Sequence, residues 1–150
     1  MGRYEEKAMT LFREGYNCAQ AVLIAFEDVT GLDRRSAATL ASSFGGGMGR
    51  MREVCGAVTG MFMAAGLLFG YDNPEAKTEK AAHYALIQEL AGEFREACGS
   101  IVCRELLGGN ADTGTVPTDR NAEFYKKRPC VELVGLAASI LERRLEGNAR

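Results

Sequence analysis

Four of the chain's five cysteines stand close behind a helix-start signal. Cys18 follows Asn17, and Cys55 follows the glycine loop Gly45-Gly46-Gly47-Met48-Gly49. Cys103 lies three residues after Ser100, and Cys130 directly follows Pro129. A thiol in the first turn of a helix faces unpaired backbone N–H groups and the positive end of the dipole, which favours the thiolate. Thiolates attack disulfides and bind soft metals. Four such placements point to one shared centre: thiol/disulfide chemistry by Cys18, Cys55, Cys103 and Cys130, or the same four holding zinc or an iron–sulfur cluster, the plainer third reading being a helical interaction protein with inert cysteines. No two cysteines form C-x-x-C, which argues against thioredoxin-like exchange within one turn and against a zinc knuckle. The four are tens of residues apart, so the fold has to assemble any common site.

Their contexts differ. Cys55 opens Cys-Gly-Ala-Val-Thr-Gly, where Gly56 and Gly60 leave a groove, and Arg50 and Arg52 are near in sequence. Arg104 adjoins Cys103, and Lys126-Lys127-Arg128 precedes Pro129 and Cys130. Neighbouring positive charge lowers a thiol pKa, which makes Cys55 or Cys103 the preferred attacking residue and a second cysteine the resolving one. Cys18 has no immediate basic neighbour. Cys98 falls at a helix end, where the dipole disfavours a thiolate, and reads as a packing residue. The glycine loop offers backbone N–H groups to an anion, cofactor or substrate, so Gly45, Gly46, Gly47, Gly56 and Gly60 are the candidate cofactor-binding glycines. The competing reading is a tight connection between two packed helices. His83, the only histidine, lies on an apolar helix face and reads as structural.

The elements that must position these residues are all helical, because no segment alternates polar and apolar for long. Helices are expected over residues 4–14, from Asn17 through Val29, from Asp33 to about Ser43, and from Val54 to Phe69. Others are expected from Glu75 to Ala97, from Ser100 through Leu107, and from Pro129 to about Leu145. Residues 108–118 are polar and turn-rich and read as a loop. The fold class is therefore all-α: a single domain over residues 1–150, with six or seven helices around a glycine-rich central one.

Composition bounds the rest. With 18 glycines, no tryptophan, 47% hydrophobic residues and a net charge of −2, the chain is not tuned for nucleic acid or an anionic membrane. The apolar stretch from Val54 to Gly70 is interrupted by glycines and shorter than a usual span. The start, Met1-Gly2-Arg3-Tyr4-Glu5-Glu6-Lys7, carries no apolar run, so a cytoplasmic location is expected, where free thiols persist. The partners expected are a redox protein or a small oxidant, and the flat apolar faces would also suit a homodimer.

Taken together, Cys18 in Gly-Tyr-Asn-Cys-Ala-Gln-Ala, Cys55 in Cys-Gly-Ala-Val-Thr-Gly, Cys103 in Gly-Ser-Ile-Val-Cys-Arg-Glu-Leu-Leu-Gly and Cys130 in Arg-Pro-Cys resemble the four hallmark cysteines of the C_GCAxxG_C_C family. The resemblance runs from about Tyr16 to Leu145; the central motif reads Cys-Gly-Ala-x-x-Gly, transposed relative to the family's label. It implies a small helical protein with a redox role and those four cysteines as the active set, Cys98 standing outside it. It further implies a transport-linked or metal-handling context, since members are often encoded near transporter genes.

Overall fold

The computed structural model describes residues 1–148. It is all-α. The helices are α1 (Arg3–Arg13), α2 (Cys18–Ala25), the single turn α3 (Glu27–Thr30), α4 (Arg34–Ala41) and α5 (Gly56–Phe69), followed by α6 (Lys77–Cys98), α7 (Cys103–Leu107), α8 (Ala122–Lys127) and α9 (Cys130–Asn148). Short 3₁₀ turns follow α4 and α7. Gly45–Met48 also makes one turn, but Gly46 and Gly47 are left-handed there, so it belongs with the glycine loop. Among the described residues no strand forms; Val54 and Val102 make one isolated antiparallel bridge.

The core is built on two helices with almost no polar face, α2 and α5. In α2, Ala19 and every residue from Ala21 to Ala25 are buried, and the helix packs against α1, α4, α5 and α9. Its start is fixed by a capping box: Asn17 Oδ1 accepts from the Gln20 backbone N–H at 2.8 Å, and Gln20 Oε1 accepts from the Asn17 N–H at 3.0 Å. Helix α5 lies against α2 through its glycines. A Cβ on Gly60 would sit 2.6 Å from the Ala19 carbonyl oxygen, so only glycine lets the two backbones come this close. Helix α9 covers α1, α2 and α5, and α6 buries only Leu90, Ala91 and Phe94 fully. No helix among the described residues is long and apolar enough to cross a membrane.

The helices are more numerous and shorter than the sequence suggests. The segment expected to run unbroken from Cys18 to Val29 breaks at Phe26 (φ −97°, ψ 18°), where the buried ring stacks on Tyr4 at 4.4 Å. Gly31 ends the following turn in the left-handed conformation, as expected for its position. Helix α6 starts at Lys77, because Asn73 Oδ1 accepts from the Glu75 N–H and holds residues 73–75 in a turn. Ser100 does not cap α7. Its Oγ accepts from the Val102 N–H and donates to Glu105, shaping the turn that delivers Cys103 to the first helical position. Helix α8 was not expected. Asn121 caps it by accepting from the Phe124 N–H at 2.9 Å.

Candidate functional site

The site begins with a stretch of unusual backbone. Gly46, Gly47, Met48, Gly49, Arg50 and Arg52 all have φ between 60° and 72°. Glycine adopts such angles freely, but Met48, Arg50 and Arg52 each cost about 1–2 kcal/mol there. The coil is held by backbone bonds that return to its own start: Arg50 N to Gly45 O, Arg52 N to Gly46 O and Glu53 N to Gly47 O, at 2.9–3.2 Å. The chain then extends and pairs with the segment before α7. The Cys55 N–H donates to Ile101 O (2.8 Å), and the Cys103 N–H donates to Glu53 O (2.5 Å). This short pairing sets Cys55, the N-cap of α5, beside Cys103, the first residue of α7.

Cys18 and Cys130 reach the same place as the first residues of α2 and α9. Cys18 and Cys130 are neighbours there, each thiol acting more strongly on the other than any other group does. The glycines are what allow the approach. A Cβ on Gly56 would lie 3.0 Å from Cys18 Cβ, and one on Gly47 would lie 2.6 Å from Cys103 Cβ. All four cysteines thus line one cleft of about 350 Å³, together with Gly45, Gly46, Gly47 and Gly56. Gly60 is not in its wall; it serves the α2–α5 contact.

Electrostatics separate the four. The neighbouring Cys18 thiol holds the Cys130 pKa below the ordinary thiol value against the cost of burial, with Arg128, Arg120 and Arg52 adding positive charge. Cys18 is pushed well above the ordinary value, first by the neighbouring Cys130 and then by burial. Burial pushes the Cys55 thiol up to about 12, although the Ala57 and Val58 N–H groups pull the other way. Cys103 is also raised by burial, and Arg52 Nη1, 3.8 Å from its sulfur, offsets only part. The expectation that a helix N-terminus and a nearby arginine favour the thiolate at Cys55 or Cys103 therefore meets a larger opposing effect. Cys55 and Cys103 are 5% and 7% exposed, and desolvation of a charge outweighs a partial dipole. The thiolate is favoured at Cys130 instead.

Other residues of the wall were not singled out in the sequence. Arg120 lines the cleft while its Nη atoms donate to the Phe12 and Tyr16 carbonyls at 2.7 and 2.8 Å, past the end of α1. Thr115, Pro117 and Thr118 come from the polar loop, which the glycine coil ties down. Arg50 donates to Gly114 O and Thr118 Oγ1, and Arg52 Nε donates to Asp112 O at 2.8 Å. Proline and polar residues in a turn-rich stretch gave no hint of this, since only the fold brings residue 118 to residue 50. Cys98 lies outside the cleft and donates to the Phe94 and Ser100 carbonyls. His83 is likewise elsewhere, edge-on to Tyr71. Among the described residues no three His, Cys, Asp or Glu side chains are grouped so that they could hold a metal ion.

A helical protein whose remote cysteines meet at four helix starts in one arginine-bordered cleft is a multi-cysteine protein of a recognisable kind. Residues 16–144 match the protein family described as "Putative redox-active protein (C_GCAxxG_C_C)". The chain belongs to this C_GCAxxG_C_C family. Comparison with curated proteins and with solved structures gives no match.

Proposed function

We propose that the cleft carries out thiol/disulfide exchange, with the Cys130 thiolate as nucleophile and Cys18 as the resolving thiol. The observation that supports this reading is the placement of Cys18 and Cys130, each the first residue of its helix, in the wall of one cleft, where each thiol is the strongest influence on the other: Cys18 is pushed up and Cys130 down. An attacking thiol is most effective when its pKa lies near the ambient pH. The electron acceptor is a disulfide, R–S–S–R. Cys130 attacks one sulfur, forming a mixed disulfide and releasing the first thiolate, which takes up a proton. Cys18 then loses its proton, attacks the Cys130 sulfur and releases the second R–S. The protein loses two electrons and gains a Cys18–Cys130 bond; the substrate gains two electrons and two protons and leaves as two thiols.

Cys55 and Cys103, protonated at neutral pH by their burial, serve in this reading as an inner thiol reserve rather than as the first nucleophile. The glycine coil holds the wall, and the reducing cytosol is the compartment that would keep the five thiols free between turnovers. The test is oxidation of the reduced protein by hydroxyethyl disulfide, followed by peptide mapping. A Cys18–Cys130 cross-link that forms faster than any other is the expected result, and Cys130→Ser should abolish it. If Cys130→Ser consumes the disulfide as fast as the wild-type protein, the reading falls.

A further inference from the structure

The cleft carries a charge that exchange between thiols does not require. Arg50, Arg52, Arg120 and Arg128 all line it, and no Asp or Glu is among its described lining residues, in a chain whose net charge is −2. Arg120 is engaged on the Phe12 and Tyr16 carbonyls, Arg50 on Gly114, Thr118 and Asp112, and Arg128 lies over the Phe124 ring. Arg52 is different. It is 3% exposed, its Nε is satisfied by Asp112 O and its Nη1 lies near Cys103, but its buried Nη2 has no hydrogen-bond partner among the described residues. A buried guanidinium with an orphan donor is costly, and proteins keep such a group where a partner arrives to satisfy it. The side chain is also held in place: the Arg52 backbone is left-handed, and its Cα would lie 2.7 Å from a Cβ on Gly47.

We propose that Arg52 Nη2 is the anion-binding donor of this cleft, and that the disulfide it accepts is a small molecule bearing a carboxylate. A planar guanidinium matches the planar, two-oxygen geometry of a carboxylate, and about 350 Å³ suits a ligand of small-metabolite size. With the carboxylate on Arg52, the ligand's sulfur lies in a cleft whose wall also holds Cys130. The choice of a disulfide rests on the exchange reading; the carboxylate site does not.

The test uses a ligand that binds without reacting. Reduced protein is titrated calorimetrically, without oxygen, with 3,3′-thiodipropionate, whose thioether offers no bond to exchange, and with its uncharged diamide. The dianion should bind roughly tenfold or more tightly than the diamide, the discrimination expected of one buried charged hydrogen bond. Arg52→Gln should erase that preference, and Arg52→Lys should keep part of it. A variant-free readout is the ¹⁵N resonance of the Arg52 guanidinium, which should shift during the titration. Equal binding of dianion and diamide, binding of neither, or a guanidinium resonance that stays put while the dianion binds would each overturn the assignment. Failure here leaves the cross-linking result standing. Conversely, tight dianion binding with no disulfide formed removes the exchange reading and leaves Arg52 as a carboxylate site.

Discussion

At Cys130 the neighbouring Cys18 thiol, helped by Arg128, Arg120 and Arg52, pulls the thiol pKa below its ordinary value against burial. This has a measurable sign. A lowered pKa gives Cys130 more thiolate at neutral pH than an ordinary cysteine, so its alkylation by iodoacetamide should rise at lower pH than that of free cysteine. Cys55 should stay unreactive until the pH nears about 12. Removing the neighbouring thiol with Cys18→Ala should move the Cys130 profile to higher pH, while Cys18→Ser, which keeps a hydroxyl, should move it less. Peptide-resolved mass spectrometry separates the sites. An unmoved Cys130 profile in Cys18→Ala would assign the shift to the arginines alone. The same group bears on stability: its folded-state pKa lies below the unfolded one, so its contribution is present above the unfolded pKa and fades as the pH falls through the folded one.

At the scale of elements, the glycines of α5 separate by what surrounds them. Gly60→Ala puts a methyl 2.6 Å from the Ala19 carbonyl and should cost about 1–3 kcal/mol by forcing α2 and α5 apart. Gly66 sits in the same helix with nothing within 4 Å, so Gly66→Ala should stabilise by about 0.5–1 kcal/mol. Chemical denaturation of the two variants checks both signs. Gly47→Ala combines a left-handed backbone with a contact at Cys103 and should disturb the cleft as well as the fold. Much of this level was legible in the residues. Asn17 and Asp33 do open helices and cap them, and Cys18, Cys55, Cys103 and Cys130 do stand at helix starts. What was not legible is where a helix yields to packing. The break at Phe26 follows from stacking on Tyr4, twenty-two positions earlier, and no local propensity encodes that contact.

At the scale of the whole molecule, the cleft exists only because distant segments meet. The thiol contact joins α2 to α9, the backbone bridge joins residue 54 to residue 102, and Arg120 ties the polar loop to the end of α1. The four cysteine contexts pointed to one shared cleft, which all four do line, but could not rank the thiols, since the ranking depends on burial and on which sulfur lies near which. The arginine border was hidden for the same reason: the net charge of −2 masks a local excess of positive groups. That excess should appear in kinetics. The rate of oxidation by 3,3′-dithiodipropionate should fall as salt rises from about 0.05 to 0.5 M, where the Debye length shortens from about 14 to 4 Å, while the rate with neutral hydroxyethyl disulfide should barely change. Parallel salt dependence for both would remove the field of the cleft as a cause.

The contact between Cys18 and Cys130 joins the first and last thirds of the chain. Sealed as a covalent bond, it would enclose more than a hundred residues and strip the unfolded chain of much of its freedom, a gain of about 5 kcal/mol in the chain-entropy view. The oxidised protein should then melt roughly 10 °C above the reduced one by calorimetry. Its electron count would then be written into its resistance to heat.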